Sequence, residues 1–462
     1  MIVLPNTPPL PTAFKTASKL NPSLLATRSA LAVPTLASYH DSIRFADNLD
    51  RYLEEIFSYI SNESGRSELD HIVSYASKTM VVNTSEIPWS NVKQAVGKEK
   101  SDISHNNEKL KLNKLNKVFK AIPSTEKVTT TNGQWTLENE IQLVLVAIAF
   151  VYIKIGSELT NELIDDESGN SSSPEINEKW KQVVNFYKKA ISYTLFGIQV
   201  NSIARTRFNG AIFTFIHKIS EINFQLSILC KSSWVNRNSF RESGSFAMTN
   251  NGTLSRVAIF VLNEIKNSKS LLVELESFPD IGLNYKNWQD YLDLMEKYAS
   301  AYAGLFLAVE NYQKDKLGNA IGLVHFSLLN LQSKNIDTNS KKLADKLKSK
   351  IATKKNEHLL NKLDSVSTLN INKSLFNDKS GVVLNDISYL FDQLIHLNLK
   401  LEKENNTLKF DTIVNWQDIS KDSKWPLGNK IPVSDIKPYQ PSVFNDVIQE
   451  KPKDYYGRGA YY

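Results

Sequence analysis

A single cysteine, Cys230, stands in 462 residues, so no internal disulfide can form and the fold must be held by packing alone. Histidine is scarce as well. His40, His71, His105, His217, His325, His358 and His396 lie far apart, without the short spacings that place two ligands on one metal ion. No Gly-x-Ser-x-Gly elbow, phosphate-cradling glycine loop or dinucleotide fingerprint occurs, which removes the motif-borne routes to hydrolase, nucleotide and hydride chemistry. Long apolar runs are missing too: the most apolar, 143–153, falls well short of the roughly 20 residues of a membrane span and reads as a buried core helix. Acidic residues are absent before Asp41, whereas Lys15, Lys19 and Arg28 are present. That is the charge bias of a transit segment, but Pro5, Pro8, Pro9, Pro11, Pro22 and Pro34 break any sustained amphipathic helix. Residues 1–40 are therefore read as a proline-rich arm that wraps the folded domain. Strong charge is lacking as well, and a net +6 spread along the chain gives no reason to expect nucleic acid.

Helical periodicity is present almost throughout. A hydrophobic fraction of 41% beside 23% charged residues supplies a real core. Ile43, Ala46, Leu49, Leu53, Ile56, Phe57 and Ile60 recur at steps of three and four, which is one face of a helix. The same spacing predicts helices over 110–122, 136–163, 174–198, 204–231, 254–275, 288–312, 317–331, 340–363 and 383–403. Thr136 is the expected cap of the second of these, with Glu138 and Glu140 in its positive first turn. Residues 232–251, rich in Ser, Asn and Gly, read as a mobile loop. The short link 314–316 makes the helices either side of it antiparallel neighbours. Ala299, Ala301, Ala303, Gly304, Gly318, Ala320 and Gly322 are expected to let those two backbones approach closely. The pair is tetratricopeptide-like in texture, yet no fixed period runs along the chain, which argues against a regular solenoid.

The last sixty residues break this pattern. The final helix is expected to end near Asn406 and give way to an extended stretch, 407–416. Leu408, Phe410, Val414 and Trp416 need a surface to bury them, while Pro426, Pro432, Pro438 and Pro441 deny both helix and central strand. Such a strap is expected to lie along helices formed upstream. The expected fold is all-α: one elongated, curved domain of antiparallel helices over 41–441 that includes the strap. The arm 1–40 precedes it, and a flexible aromatic tail, 442–462, follows.

Few residues suggest reactive chemistry. Asp165-Asp166-Glu167 has the look of paired carboxylates that hold magnesium in all-helical enzymes, but no second acidic cluster completes a pocket. Cys230, beside Lys231, reads as a small buried filler rather than an activated thiol. Lys341, Lys342, Lys346, Lys350 and Lys354 on one predicted helix offer a face for anionic lipid, against the simpler reading of a solvated surface.

Three stretches resemble the Bro-domain family. They are Leu10-Pro11-Thr12 with Asn21-Pro22-Ser23-Leu24 and Arg28; the small-residue pair 298–304 and 316–322; and 403–410 with Pro426-Leu427-Gly428-Asn429-Lys430-Ile431 and Lys437-Pro438-Tyr439-Gln440-Pro441. The resemblance implies a Bro-type, non-enzymatic scaffold without cofactor or metal. Its partner would be an ESCRT-III filament subunit offering an amphipathic helix to a hydrophobic patch. Phe213, Phe215, Ile216 and Ile219 match that patch by position, and Pro426, Gly428 and Lys430 match the family's strap. The alternative for the first four is a helix buried on every side, because apolar residues surround it. Lys430 departs from the arginine expected there, exchanging a bidentate fork for a point charge. Within the family the likeness is strongest to regulators of fungal ambient, alkaline pH signalling. This implies pH-signalling complex proteins as further partners and proteolytic activation of a pH-responsive transcription factor as the outcome. It also implies a cytoplasmic protein recruited to cortical plasma-membrane sites or endosomes. The alternatives are a general endosomal-sorting adaptor and, remotely, a helical magnesium-dependent enzyme using Asp165 and Asp166.

Overall fold

The computed structural model describes residues 3–13, 20–32, 36, 38–82, 87–94, 135–166, 173–204, 208–243, 249–277, 281–331, 380–419, 425–432 and 435–444. Helices dominate these residues. In chain order they are α1 (Pro22–Ser29), α2 (Tyr39–Ser64), α3 (Leu69–Lys78), α4 (Leu137–Asp165), α5 (Pro174–Ile203), α6 (Ala211–Ser243), α7 (Asn251–Ser277), α8 (Trp288–Gln313), α9 (Leu317–Leu331), α10 (Ser380–Glu404) and the short α11 (Trp416–Ile419). Among the described residues four short strands, β1 (Met80–Val82), β2 (Val92–Gln94), β3 (Trp135–Thr136) and β4 (Ile281–Leu283), pair as β1–β3 and β2–β4, both antiparallel. From α4 to α9 each helix packs on the next, and α10 returns onto α9, α8 and α4. The predicted helices 110–122 and 340–363 lie outside the described residues.

The core sits around α4. Thr136 caps it by accepting the Asn139 amide, as its place before the apolar run requires. Apolar residues then follow on every side of the helix, and α2, α5 and α6 cover them. By length and composition α4 could cross a membrane, yet the whole of its apolar window is enclosed by the rest of the protein. A helix that is hydrophobic all round must be buried somewhere, and here protein does it.

Beside the first turn of α4 lies a buried charge. The carboxylate of Glu140 is fully enclosed, and four donors from four segments converge on it. Arg28 Nε of α1 donates at 2.5 Å, Tyr52 Oη of α2 at 3.2 Å, Trp89 Nε1 at 2.8 Å and Trp135 Nε1 at 2.7 Å. Arg28 also donates through Nη2 to the Pro88 carbonyl at 2.8 Å and lies 4.9 Å from the Trp89 ring. The N-terminal arm is pinned on the same side. Trp288 Nε1 donates to the Pro5 carbonyl at 2.8 Å, and the Ser90 and Thr12 amides donate to Leu10 and Pro88 at 2.7 and 3.0 Å.

The second buried axis is α6. Ile212, Phe213, Phe215, Ile216, Ile219, Ile222, Phe224 and Leu226 are all buried, and the outward stripe of its first half is polar: Thr214, His217, Lys218 and Glu221. Phe213 lies over Gly197 of α5, where an added methyl would strike its ring, and Phe215 stacks on Trp288 with centroids 5.1 Å apart. The docking patch expected at Phe213, Phe215, Ile216 and Ile219 is therefore core, the alternative reading of that helix. α6 also runs on through residues read as a loop. Ser233 Oγ donates to Gln393 Oε1 of α10 at 3.0 Å, and Arg237 Nη2 donates to the Ile164 carbonyl at 2.6 Å while lying 3.8 Å from the Tyr389 ring. These tertiary anchors override the local preference of Ser and Asn for turns.

Two outcomes follow. Arg28→Met leaves Glu140 as a buried carboxylate without its counter-charge and should cost about 3–5 kcal/mol in urea unfolding; a loss below about 1 kcal/mol would show the pair to be dispensable. Phe213→Asp should prevent folding, seen as loss of helical circular dichroism, whereas a folded variant would mean that this face of α6 is open.

Candidate functional site: a strap across the helix stack

The strap begins where α10 ends. The α-helix ends at Glu404, close to the expected place, and the chain continues as a single π-helical turn, Asn405–Lys409, after which Phe410 turns it with φ of 58°. For a bulky aromatic that conformation is strained and must be held in place. Buried Asn405 holds it. Its side chain accepts the Asp411 amide at 2.8 Å and donates to the Asp411 carbonyl at 3.0 Å, and its carbonyl accepts the Phe410 amide at 2.8 Å. The turn delivers Asp411 to the start of α9, where Oδ2 accepts the Leu317 and Gly318 amides at 3.1 and 3.3 Å. A carboxylate from 94 residues away thus caps α9. The turn also leaves Leu408 and Phe410 in solvent, 72% and 75% exposed, contrary to the expectation that both are buried.

Beyond Asp411 the strap presses onto bare backbone. The Val414 amide donates to the Gly318 carbonyl at 3.3 Å, and a methyl on Gly318 or Gly322 would strike the carbonyl oxygen of Thr412 or Val414. Both glycines therefore serve the strap, rather than the contact between α8 and α9 for which they were read. Gly304 does serve that contact, since its Cα faces Ser327 and the Leu323 carbonyl. Trp425 then meets Phe326 of α9 edge-on, with centroids 5.3 Å apart.

The strap crosses α7 and α6 next. At Gly428 a Cβ would stand 2.6 Å from the Phe260 amide nitrogen, so only glycine lets the chain lie this close to α7. The Asn429 amide donates to the Arg256 carbonyl at 3.1 Å. Gln225 of α6 reads the backbone of Ile431 twice, accepting its amide at 3.2 Å and donating to its carbonyl at 3.1 Å. Lys430 reaches Glu221 of α6 with one contact of 2.9 Å, the point-charge pairing expected of lysine. Gly428 and Lys430, expected to bind a partner, are thus engaged within the chain; Pro426 beside them is half-buried, and Leu427 points away at 91% exposure.

The far end settles on α5 and α2. Ser192 Oγ donates to the Lys437 carbonyl at 2.8 Å, and the Tyr439 amide donates to the Ser192 carbonyl at 3.1 Å. The Tyr439 ring stacks on Tyr193 at 4.4 Å, its hydroxyl donates to Glu54, and the Ser442 amide donates to the same carboxylate at 3.0 Å. Phe444 closes against Phe57 and Phe196, with centroids 5.9 and 6.4 Å away. From start to finish the strap touches α9, α7, α6, α5 and α2.

Several other titratable groups are built into the core. Burial pushes the Cys230 thiol well above its ordinary pKa, the opposite of an activated nucleophile, and its sulfur lies 3.2 Å from Tyr298 Oη. Tyr298 meets Tyr302 at 3.3 Å, and Tyr302 donates to Asp386 at 3.1 Å. Burial raises Asp386 to about 6, and it raises Glu138 to about 7. Asp165 closes α4 and Asp166 follows as its C-cap, where Trp234 Nε1 donates to the Asp166 carbonyl at 3.4 Å. The acidic pair is thus a helix end stapled to α6. Among the described residues no three His, Cys, Asp or Glu side chains come together as metal ligands. Lys341, Lys342, Lys346, Lys350 and Lys354 and the tail beyond Phe444 lie outside the described residues.

Among solved structures, the chain is similar to a Bro1 domain studied for endosomal targeting: 10% identity, TM-score 0.43, covering 92% of this chain and 82% of that one. It is similar also to the ALIX BRO1–CHMP4C complex, with 11% identity, TM-score 0.48 and coverage of 95% and 96%. A third is ALIX in complex with the SIVmac239 PYKEVTEDL late domain, at 12% identity and TM-score 0.47, covering 90% of this chain but only 43% of that one. No curated protein matches. The profile of one family matches residues 135–462, which is more than half of the sequence, and the chain accordingly belongs to the family of unknown function DUF5355.

Proposed function

We propose that this chain is a non-enzymatic Bro-type scaffold that binds an ESCRT-III filament subunit. Its role would be that of a PalC-like regulator in fungal alkaline-pH signalling, promoting proteolytic activation of a pH-responsive transcription factor. The observation that supports the scaffold reading is the strap. Two of the segments that carry the sequence resemblance, 426–431 and 437–441, lie across α7, α6, α5 and α2, and the third, 403–410, leads into the turn that brings Asp411 to α9. In this reading they shape and hold the helical surface on which a partner docks.

In this reading the partner's amphipathic helix docks elsewhere on the surface of the stack, since Phe213, Phe215, Ile216 and Ile219 are buried. Recruitment from the cytoplasm to cortical plasma-membrane sites or endosomes belongs to the same proposal, with Lys341, Lys342, Lys346, Lys350 and Lys354 contacting anionic lipid. A general endosomal-sorting role would use the same domain and the same ESCRT-III partner.

The test is a pull-down of the full chain with purified ESCRT-III subunits. One filament subunit should be retained, and truncating its terminal amphipathic helix should abolish retention. A chain that holds none of the subunits overturns the proposal.

A further inference from the structure

The strap crosses α6 at its outward polar stripe, and a histidine stands there. His217 Nε2 lies 3.9 Å from Glu221 Oε2, while the other oxygen of that carboxylate holds Lys430 of the strap at 2.9 Å. His217 Nδ1 is buried and meets no hydrogen-bond partner among the described residues. The charged groups facing the ring are Lys218 and Glu221 on α6, Glu264 on α7 and Lys430 on the strap. Lys218 is paired with Glu264. The two carboxylates are thus already matched by two ammonium groups.

A neutral imidazole fits this place. With its proton on Nε2, the atom nearer Glu221, it leaves only a lone pair unused at the buried Nδ1. A protonated imidazole does not fit. It must present a second N–H with no acceptor in a dry position, and it sets a third cation beside Lys218 and Lys430. It also competes with Lys430 for Glu221, the strap lysine's partner on α6.

We infer that His217 is a proton-operated latch for the strap: neutral, it leaves Glu221 to Lys430 and the segment 425–431 docked; protonated, it loosens that segment. The direction of its pKa agrees, since burial lowers it from the ordinary imidazole value. A folded-state pKa below the unfolded one means that the contribution is present above the free imidazole pKa and is lost as pH falls through the docked one. The latch is therefore closed at neutral and alkaline pH and opens in acid. It stands on the geometry of α6, α7 and the strap, and does not depend on the partner proposed above.

Amide hydrogen exchange on the full chain, corrected for intrinsic exchange, reads the latch at two positions. The Asn429 and Ile431 amides bond across to Arg256 and Gln225. Their protection should fall between about pH 7.5 and 5.5, by up to about tenfold for each unit separating the docked from the free imidazole pKa. In His217→Gln the fall should vanish. An equal fall in His217→Gln, or none in the natural chain, overturns the inference. Should His217→Gln fail to fold, the carbon-13 titration of the His217 ring in the natural chain decides: a pKa at or above that of a free imidazole refutes the latch.

Discussion

An extended chain laid on helices has no strand beside it to receive its amides and carbonyls, and each such group left dry and unpaired costs on the order of 1–3 kcal/mol. The strap meets this constraint by drawing partners from the helices it crosses. Gly318 and Arg256 lend carbonyls, Gln225 lends a side-chain amide, and Ser192 lends both a carbonyl and a hydroxyl. Such borrowing works only at close range, and glycine supplies the range: Gly318 and Gly322 on α9, and Gly428 on the strap itself. Prolines elsewhere in the strap carry no amide that needs a partner.

The two ends of the chain are tied down by different physics. The N-terminal arm is secured through a buried ion pair, with Arg28 and Glu140 satisfied by two indoles, a phenol and a carbonyl. Full satisfaction matters there, because a buried charge pair stabilises only when its remaining hydrogen-bonding capacity is met. The strap relies instead on backbone contacts and half-exposed pairs, such as Lys430–Glu221, which solvent screens. The arm is therefore held by a buried charge, and the strap by contacts nearer the surface.

Much of this was legible in the sequence, and the reasons are physical. Periodicity located α2, α4, α5, α7, α8, α9 and α10 because each buries a stripe or a whole circumference. The prolines and apolar residues after Lys403 marked a strap that lies along helices. Other features were hidden because they depend on distant residues. Asp411 caps a helix far away in the chain, and nothing near it in sequence says so. Gly318 and Gly322 looked like helix–helix spacers, since a glycine does not reveal which backbone it faces. Leu408 and Phe410 looked buried because hydrophobicity favours it; the demand that Asp411 reach α9 prevails and leaves them outside. The patch assigned to Phe213 failed for a related reason. Composition shows that α6 is apolar on more than one side, but not that α5, α4 and α7 take up every apolar side.

The central claim is that backbone contact through glycine keeps the strap on the stack. Gly322→Val tests it most directly, since the added side chain must displace the Val414 carbonyl. Amide exchange on the full-length variant at neutral pH should show Val414, Asn429, Ile431 and Tyr439 losing protection together, while amides within α4 keep theirs. If the four strap amides stay as protected as in the natural chain, the strap is held by something other than the contact described.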